Sequence, residues 1–148
     1  MDLNLAANEQ LSHLNLATNQ IASFELNGLP NSLNTVLMAA NCLETAASIA
    51  PLASLPNLEV LDLQNNKLDG EDLFELFPKF KSLRVLYLIG NPIQRAEYYR
   101  RRLVSRCASL TYLDTAPVED LEKRGSEAWA VGGRDAELSA RWGCTSSM

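Results

Sequence analysis

The architecture of this chain follows from one segment, Leu58-Glu59-Val60-Leu61-Asp62-Leu63-Gln64-Asn65-Asn66-Lys67-Leu68. Reduced to its apolar positions and one amide, it reads Leu58, Leu61, Leu63, Asn66, Leu68. The same spacing follows as Leu83, Leu86, Leu88, Asn91, Ile93. It precedes as Leu33, Val36, Met38, Asn41, Leu43 and as Leu11, Leu14, Leu16, Asn19, Ile21. The four asparagines stand 22, 25 and 25 residues apart. Self-similarity at this period marks stacked coils, each a unit that cannot bury its apolar face alone.

This is the leucine-rich-repeat period, and it predicts an α/β solenoid. Short parallel strands line a curved concave face, with helices and irregular segments on the convex face. Within each strand, side chains alternate, so the leucines point inward and the residues between them point out. The asparagine belongs at the bend, where its amide satisfies backbone groups of the turn. Four repeats span residues 11–94, residues 95–118 form a C-terminal cap helix and final strand, and residues 119–148 a trailing helical segment and frayed tail.

The return segments differ. Residues 20–32 contain Gly28 and Pro30 and are expected to be mostly irregular; alanine-rich residues 44–55 suit a short helix. Residues 70–81 read as helix, with acids at its start and Leu73, Phe74, Phe77 and Phe80 at core spacing. After Pro92 a cap helix over 95–107 turns Tyr99, Leu103 and Cys107 inward, and Leu110, Leu113 and Val118 give a last strand that Pro117 ends. Helices over 119–123 and 127–142 are interrupted by Gly125 and by Gly132-Gly133. Residues 1–10 imitate a partial repeat or truncated N-terminal cap, and the apolar edge at Leu3, Leu5 and Leu11 points to a longer natural chain or a partner seated there.

The chain's 148 residues suffice for one domain with a core, and its net charge of −5 disfavours wholesale nucleic-acid binding. Charge is uneven: residues 1–94 hold 4 basic and 10 acidic side chains, residues 95–148 hold 9 and 8. Cys42, Cys107 and Cys144 follow no pairing pattern, which suggests free thiols in a reducing compartment. No signal-peptide or transmembrane run is present. His13 is the single histidine, so no triad is expected. Glu71/Asp72 and Glu119/Asp120 suit helix starts better than acid–base pairs. No nucleotide loop or metal-ligand spacing occurs, and no cofactor is expected.

The outward strand positions carry the functional expectation. They are His13, Asn15 and Ala17; Thr35, Leu37 and Ala39; Val60, Asp62 and Gln64; Val85, Tyr87 and Ile89; then Tyr112 and Asp114. Val60, Asp62, Val85, Tyr87, Ile89 and Tyr112 are the candidate protein-binding residues, because an apolar and aromatic stripe on a monomer is seldom unused. The competing reading folds the C-terminal tail over this face. Arg95, Arg100, Arg101, Arg102 and Arg106 are either a second contact for an acidic or phosphorylated partner or a solvated basic face.

Three segments narrow the reading. Asn91-Pro92-Ile93, Tyr99-Arg100-Arg101 and Leu110-Thr111-Tyr112-Leu113-Asp114 resemble the cap of the leucine-rich-repeat class with phosphatase-regulatory and spliceosomal members. Ser126-Glu127-Ala128-Trp129-Ala130-Val131-Gly132-Gly133 looks like the stretch after the cap in the dynein axonemal assembly factor family. Leu33-Asn34-Thr35, Leu43-Glu44-Thr45-Ala46 and Val60-Leu61-Asp62-Leu63 are similar to that family's later repeats, so the resemblance covers residues 11–142. It implies a non-enzymatic cytoplasmic scaffold for preassembly of axonemal dynein arms of cilia or flagella. Its partners would be dynein subunits or chaperones, with no small-molecule substrate and no membrane. A regulatory subunit of a phosphatase or other enzyme, a structural axonemal component binding dynein or tubulin, and an RNA-processing adaptor remain as alternatives.

Overall fold

The computed structural model describes residues 9–23 and 29–132. One short strand rises from each repeat: β1 His13–Asn15, β2 Thr35–Leu37, β3 Val60–Asp62 and β4 Val85–Tyr87. β5 Tyr112–Leu113 and β6 Ala116–Pro117 follow, and the sheet order equals the chain order. β1 to β5 are parallel, in a register that aligns His13, Thr35, Val60, Val85 and Tyr112 in one row; β6 returns antiparallel on β5. On the opposite side, α1 Ala46–Ile49, α2 Asp72–Leu76 and α3 Tyr99–Arg106 stack in chain order. A last helix, α4, covers the described residues 120–132.

The interior is the leucine ladder. Leu33, Val36, Met38, Leu61, Leu63, Leu86 and Leu88 have no exposed surface, while the residues flanking the central residue of β2, β3 and β4 are half-buried. Phe74, Phe77 and Phe80 fill the space beneath α2, as their spacing predicts. Leu11, Leu14 and Leu16 are partly buried and pack on this core, whereas residues 1–8 of the partial repeat expected over residues 1–10, with Leu3 and Leu5, lie outside the described residues.

Each bend holds one asparagine in the same network. The Asn66 amide donates to Leu63 O and Gln64 O of its own coil at 3.0 and 3.2 Å and to Met38 O of the preceding coil at 3.0 Å. Its oxygen accepts the Leu43 N–H at 3.2 Å. Asn41 repeats this with Met38 O, Ala39 O, Leu16 O and the Ile21 N–H, and Asn91 with Leu88 O, Leu63 O and the Leu68 N–H. The residue before each asparagine is left-handed: Thr18, Ala40, Asn65 and Gly90 have φ of 60°, 57°, 55° and 82°. At Gly90 a Cβ would crowd the exposed Asn65 side chain, which would have to move to admit a larger residue.

Four expectations need correction. The helix over 70–81 splits into α2 and a 3-10 turn, Phe77–Lys79, because Pro78 has no N–H to continue the α pattern. The helix over 95–107 begins only at Tyr99: Pro92–Arg95 is a 3-10 turn, Ala96 is extended, and Tyr98 is left-handed at φ 57°. Pro117 does not simply end the last strand but sits in β6, after a turn that Asp114 makes at φ 57°. Gly125 does not interrupt α4; it is buried beside buried Ser126, and packing offsets a glycine's helix cost of roughly 1 kcal/mol. The break expected at Gly132-Gly133 and the helix to residue 142 run beyond the described residues.

Asn66→Ala strands the buried Leu43 N–H and removes one of the two amide donors that Met38 O and Leu63 O each accept from, and is expected to cost about 2 kcal/mol. Asn19→Ala, in an exposed turn, should stay near ~0.5 kcal/mol. Urea denaturation of the two variants checks the contrast.

Candidate protein-binding face

The sheet register assembles the candidate residues into three rows. The first is Thr35, Val60, Val85 and Tyr112; the second is Leu37, Asp62 and Tyr87. Ala39, Gln64 and Ile89 form the third, where Ala40 N–H bonds Gln64 O and Asn65 N–H bonds Ile89 O. All ten side chains are half-buried. Tyr87 and Tyr112 meet edge to face, with ring centroids 6.0 Å apart at 61°, which holds both rings in place without covering them. Val60, Val85, Tyr87, Ile89 and Tyr112 thus form one continuous apolar and aromatic patch. His13 is exposed at the end of the first row, bonded to Ser12 Oγ at 2.9 Å.

The two carboxylates on this side are engaged. Asp62 Oδ1 accepts both the backbone N–H and the side-chain amide of Gln64, at 3.0 and 3.1 Å. Asp114 turns away from the face to cap the end of β4. Its oxygens accept the Leu88 N–H at 2.6 Å and the Tyr99 hydroxyl at 2.8 Å. Burial and the Asp114 charge push the Tyr99 phenol far above its ordinary range. The outward spacing of Asp114 hides this cap, because nothing in the sequence joins it to Tyr99.

The arginines divide. Arg100 is a clamp: it donates to the carbonyls of Leu113 at 3.0 Å and Pro117 at 2.9 Å and pairs with Glu122 of α4 at 2.6 Å. Arg101 lies 5.8 Å from the ring centroid of Trp129 and 6.0 Å from that of Tyr98. Those two rings are themselves 4.8 Å apart, so α4 docks along α3. Arg102 stacks on Phe74 at 3.7 Å and pairs with Glu71, which stands at the N-cap position of α2. Arg95 and Arg106 are exposed, Arg106 donating to Phe74 O at 3.4 Å. The described part of the C-terminal segment therefore packs on the helical side. Among the described residues no group of His, Cys, Asp or Glu is placed to hold a metal, and no helix is long and apolar enough to cross a membrane.

The profile described as leucine-rich repeat matches residues 3–141, nearly the whole chain. The chain belongs to the leucine-rich-repeat family. The solved SNF/U2A' complex of Drosophila melanogaster shares this fold with a TM-score of 0.76, over 94% of this chain and 80% of that one, at 21% identity. A dynein axonemal assembly factor 1 homolog of Drosophila pseudoobscura pseudoobscura is 41% identical over 113 residues, 74% of this chain and 7% of that protein. The leucine-rich repeat-containing protein ODA7 of Chlamydomonas reinhardtii is 42% identical over 98 residues, 66% of this chain and 23% of that protein. The leucine-rich-repeat chain thus spans less than a quarter of either relative's length.

Arg100→Ala should cost about 2 kcal/mol by leaving two hairpin carbonyls and Glu122 without a donor. Arg100→Lys should not restore it, since an ammonium cannot fork to the same acceptors; thermal melts of both variants test this. Burial pushes the Cys107 thiol up to about 12, so it should resist iodoacetamide at pH 8 in the native protein and react after unfolding, read by mass spectrometry.

Proposed function

We propose that this chain is a non-enzymatic protein-binding scaffold acting in the cytoplasmic preassembly of axonemal dynein arms. The observation that carries the reading is the 41% and 42% identity to proteins named for dynein axonemal assembly and as ODA7, across 74% and 66% of this chain. The sheet face supports it. Val60, Val85, Tyr87, Ile89 and Tyr112 offer rigid apolar area at little entropic cost to binding, and tyrosines of this kind are frequent interface anchors. Asp62 adds one acceptor whose geometry Gln64 already fixes. The binding partners are dynein subunits or the chaperones that fold them, taken up on the sheet face, and the chain works in the cytoplasm of ciliated or flagellated cells.

The test is affinity capture of the tagged full-length protein from the cytoplasm of ciliated cells, read by mass spectrometry. Dynein chains with chaperones are expected, and Tyr87→Ala should reduce their recovery about tenfold or more while the melting temperature stays unchanged. Leu61→Ala, in contrast, should cost ~2–5 kcal/mol of stability. Capture of a phosphatase or a ribonucleoprotein particle without dynein would overturn the reading and leave the fold intact.

A further inference from the structure

Between α3 and α4 lies a cavity of about 290 Å³ lined by Arg102, Ser105, Arg106, Trp129 and Ala130. It is on the helical side, apart from the sheet face, and its chemistry is different. Arg102 is held in advance of any ligand by its stack on Phe74, 3.7 Å from the ring centroid, with 20% of its side chain exposed. Its two terminal nitrogens point at the Glu71 carboxylate, which is 75% exposed. Arg106 stands one helical turn further on, and its positive charge also reaches Glu71. The Ser105 hydroxyl, on the same wall, donates to Arg102 O at 3.0 Å.

We propose that this pocket docks a phosphorylated serine or threonine side chain of a partner protein. The phosphate dianion competes with the Glu71 carboxylate, which stands outside the cavity lining, for the Arg102 guanidinium and bridges it to Arg106. The volume admits one side chain and is below what a drug-sized ligand fills. Guanidinium forks bind phosphate bidentately, and a phosphate brings nearly two charges and three acceptor oxygens. Glu71 brings one charge and sits in solvent, where an ion pair is weakly held. A carboxylate from an acidic partner would gain nothing over the carboxylate already present, whereas a phosphate gains a second guanidinium. Trp129 supplies an apolar wall for the stem of the incoming side chain. This assignment does not rest on the dynein-assembly reading, since any phosphoprotein partner meets it.

The full-length chain carrying Trp142→Phe lets Trp129 report by fluorescence. It is titrated with a short alanine-flanked phosphoserine peptide, with the same peptide bearing glutamate, and with inorganic phosphate. The phosphoserine peptide is expected to bind at least about tenfold more tightly than either comparison. Arg106→Ala, an exposed position whose loss leaves the Phe74 stack intact, should weaken it about tenfold. Glu71→Gln should tighten it by about threefold or more, because the internal competitor is removed. Equal binding of the glutamate peptide or of inorganic phosphate overturns the proposal. So does a Glu71→Gln variant that binds no better, or an Arg106→Ala variant that binds as well as the parent.

Discussion

Everything in this molecule hangs on a carboxamide placed where backbone polar groups turn into an apolar interior. A coil this narrow brings the carbonyls and N–H groups of its bend away from water, and each left unpaired is costly. Asn41, Asn66 and Asn91 meet that demand with one group that both donates and accepts. The same amide also bonds the preceding coil, so satisfying one bend sets the distance and register to the next. A carboxylate could accept but not donate. Asp114, where the asparagine spacing lapses, accordingly accepts from Leu88 N–H and Tyr99 and terminates the series.

Register then decides what each side can do. Because the coils align residue for residue, outward positions separated by 25 or 27 residues of chain become neighbours, and five of them make the apolar patch around Tyr87 and Tyr112. The helical side is built from unequal return segments and is held by specific pairs instead: Arg102 with Glu71 and Phe74, and Arg101 with Trp129 and Tyr98. A regular sheet face and an irregular, charged helical face are therefore products of one repeat.

The coil stack and its sheet rows were legible because periodicity is a local signal: Leu61, Asp62 and Leu63 announce in, out, in by alternation alone. The candidate face could be written down for the same reason. The cap could not, since its contacts join distant residues without a pattern. Arg100 looked like one cation among five, yet its partners at Leu113, Pro117 and Glu122 depend on how the hairpin and α4 fold back. The left-handed residues before the asparagines were also partly hidden, because Thr18 and Ala40 carry no sign of positive φ, whereas Asn65 and Gly90 do. Gly125 misled in the opposite direction: a residue that usually stops a helix was retained inside one where it is buried.

The hairpin at the end of the sheet has a consequence for solubility. A parallel sheet finishes in a strand whose spare N–H and C=O groups can template another chain. Here the outermost strand is two residues long. Pro117 has no N–H to lend, and the carbonyls of Ala116 and Pro117 are already taken by Arg100, at 3.4 and 2.9 Å. A side chain recruited to lock the cap thus also occupies the backbone carbonyls that an aggregating strand would use at those two residues.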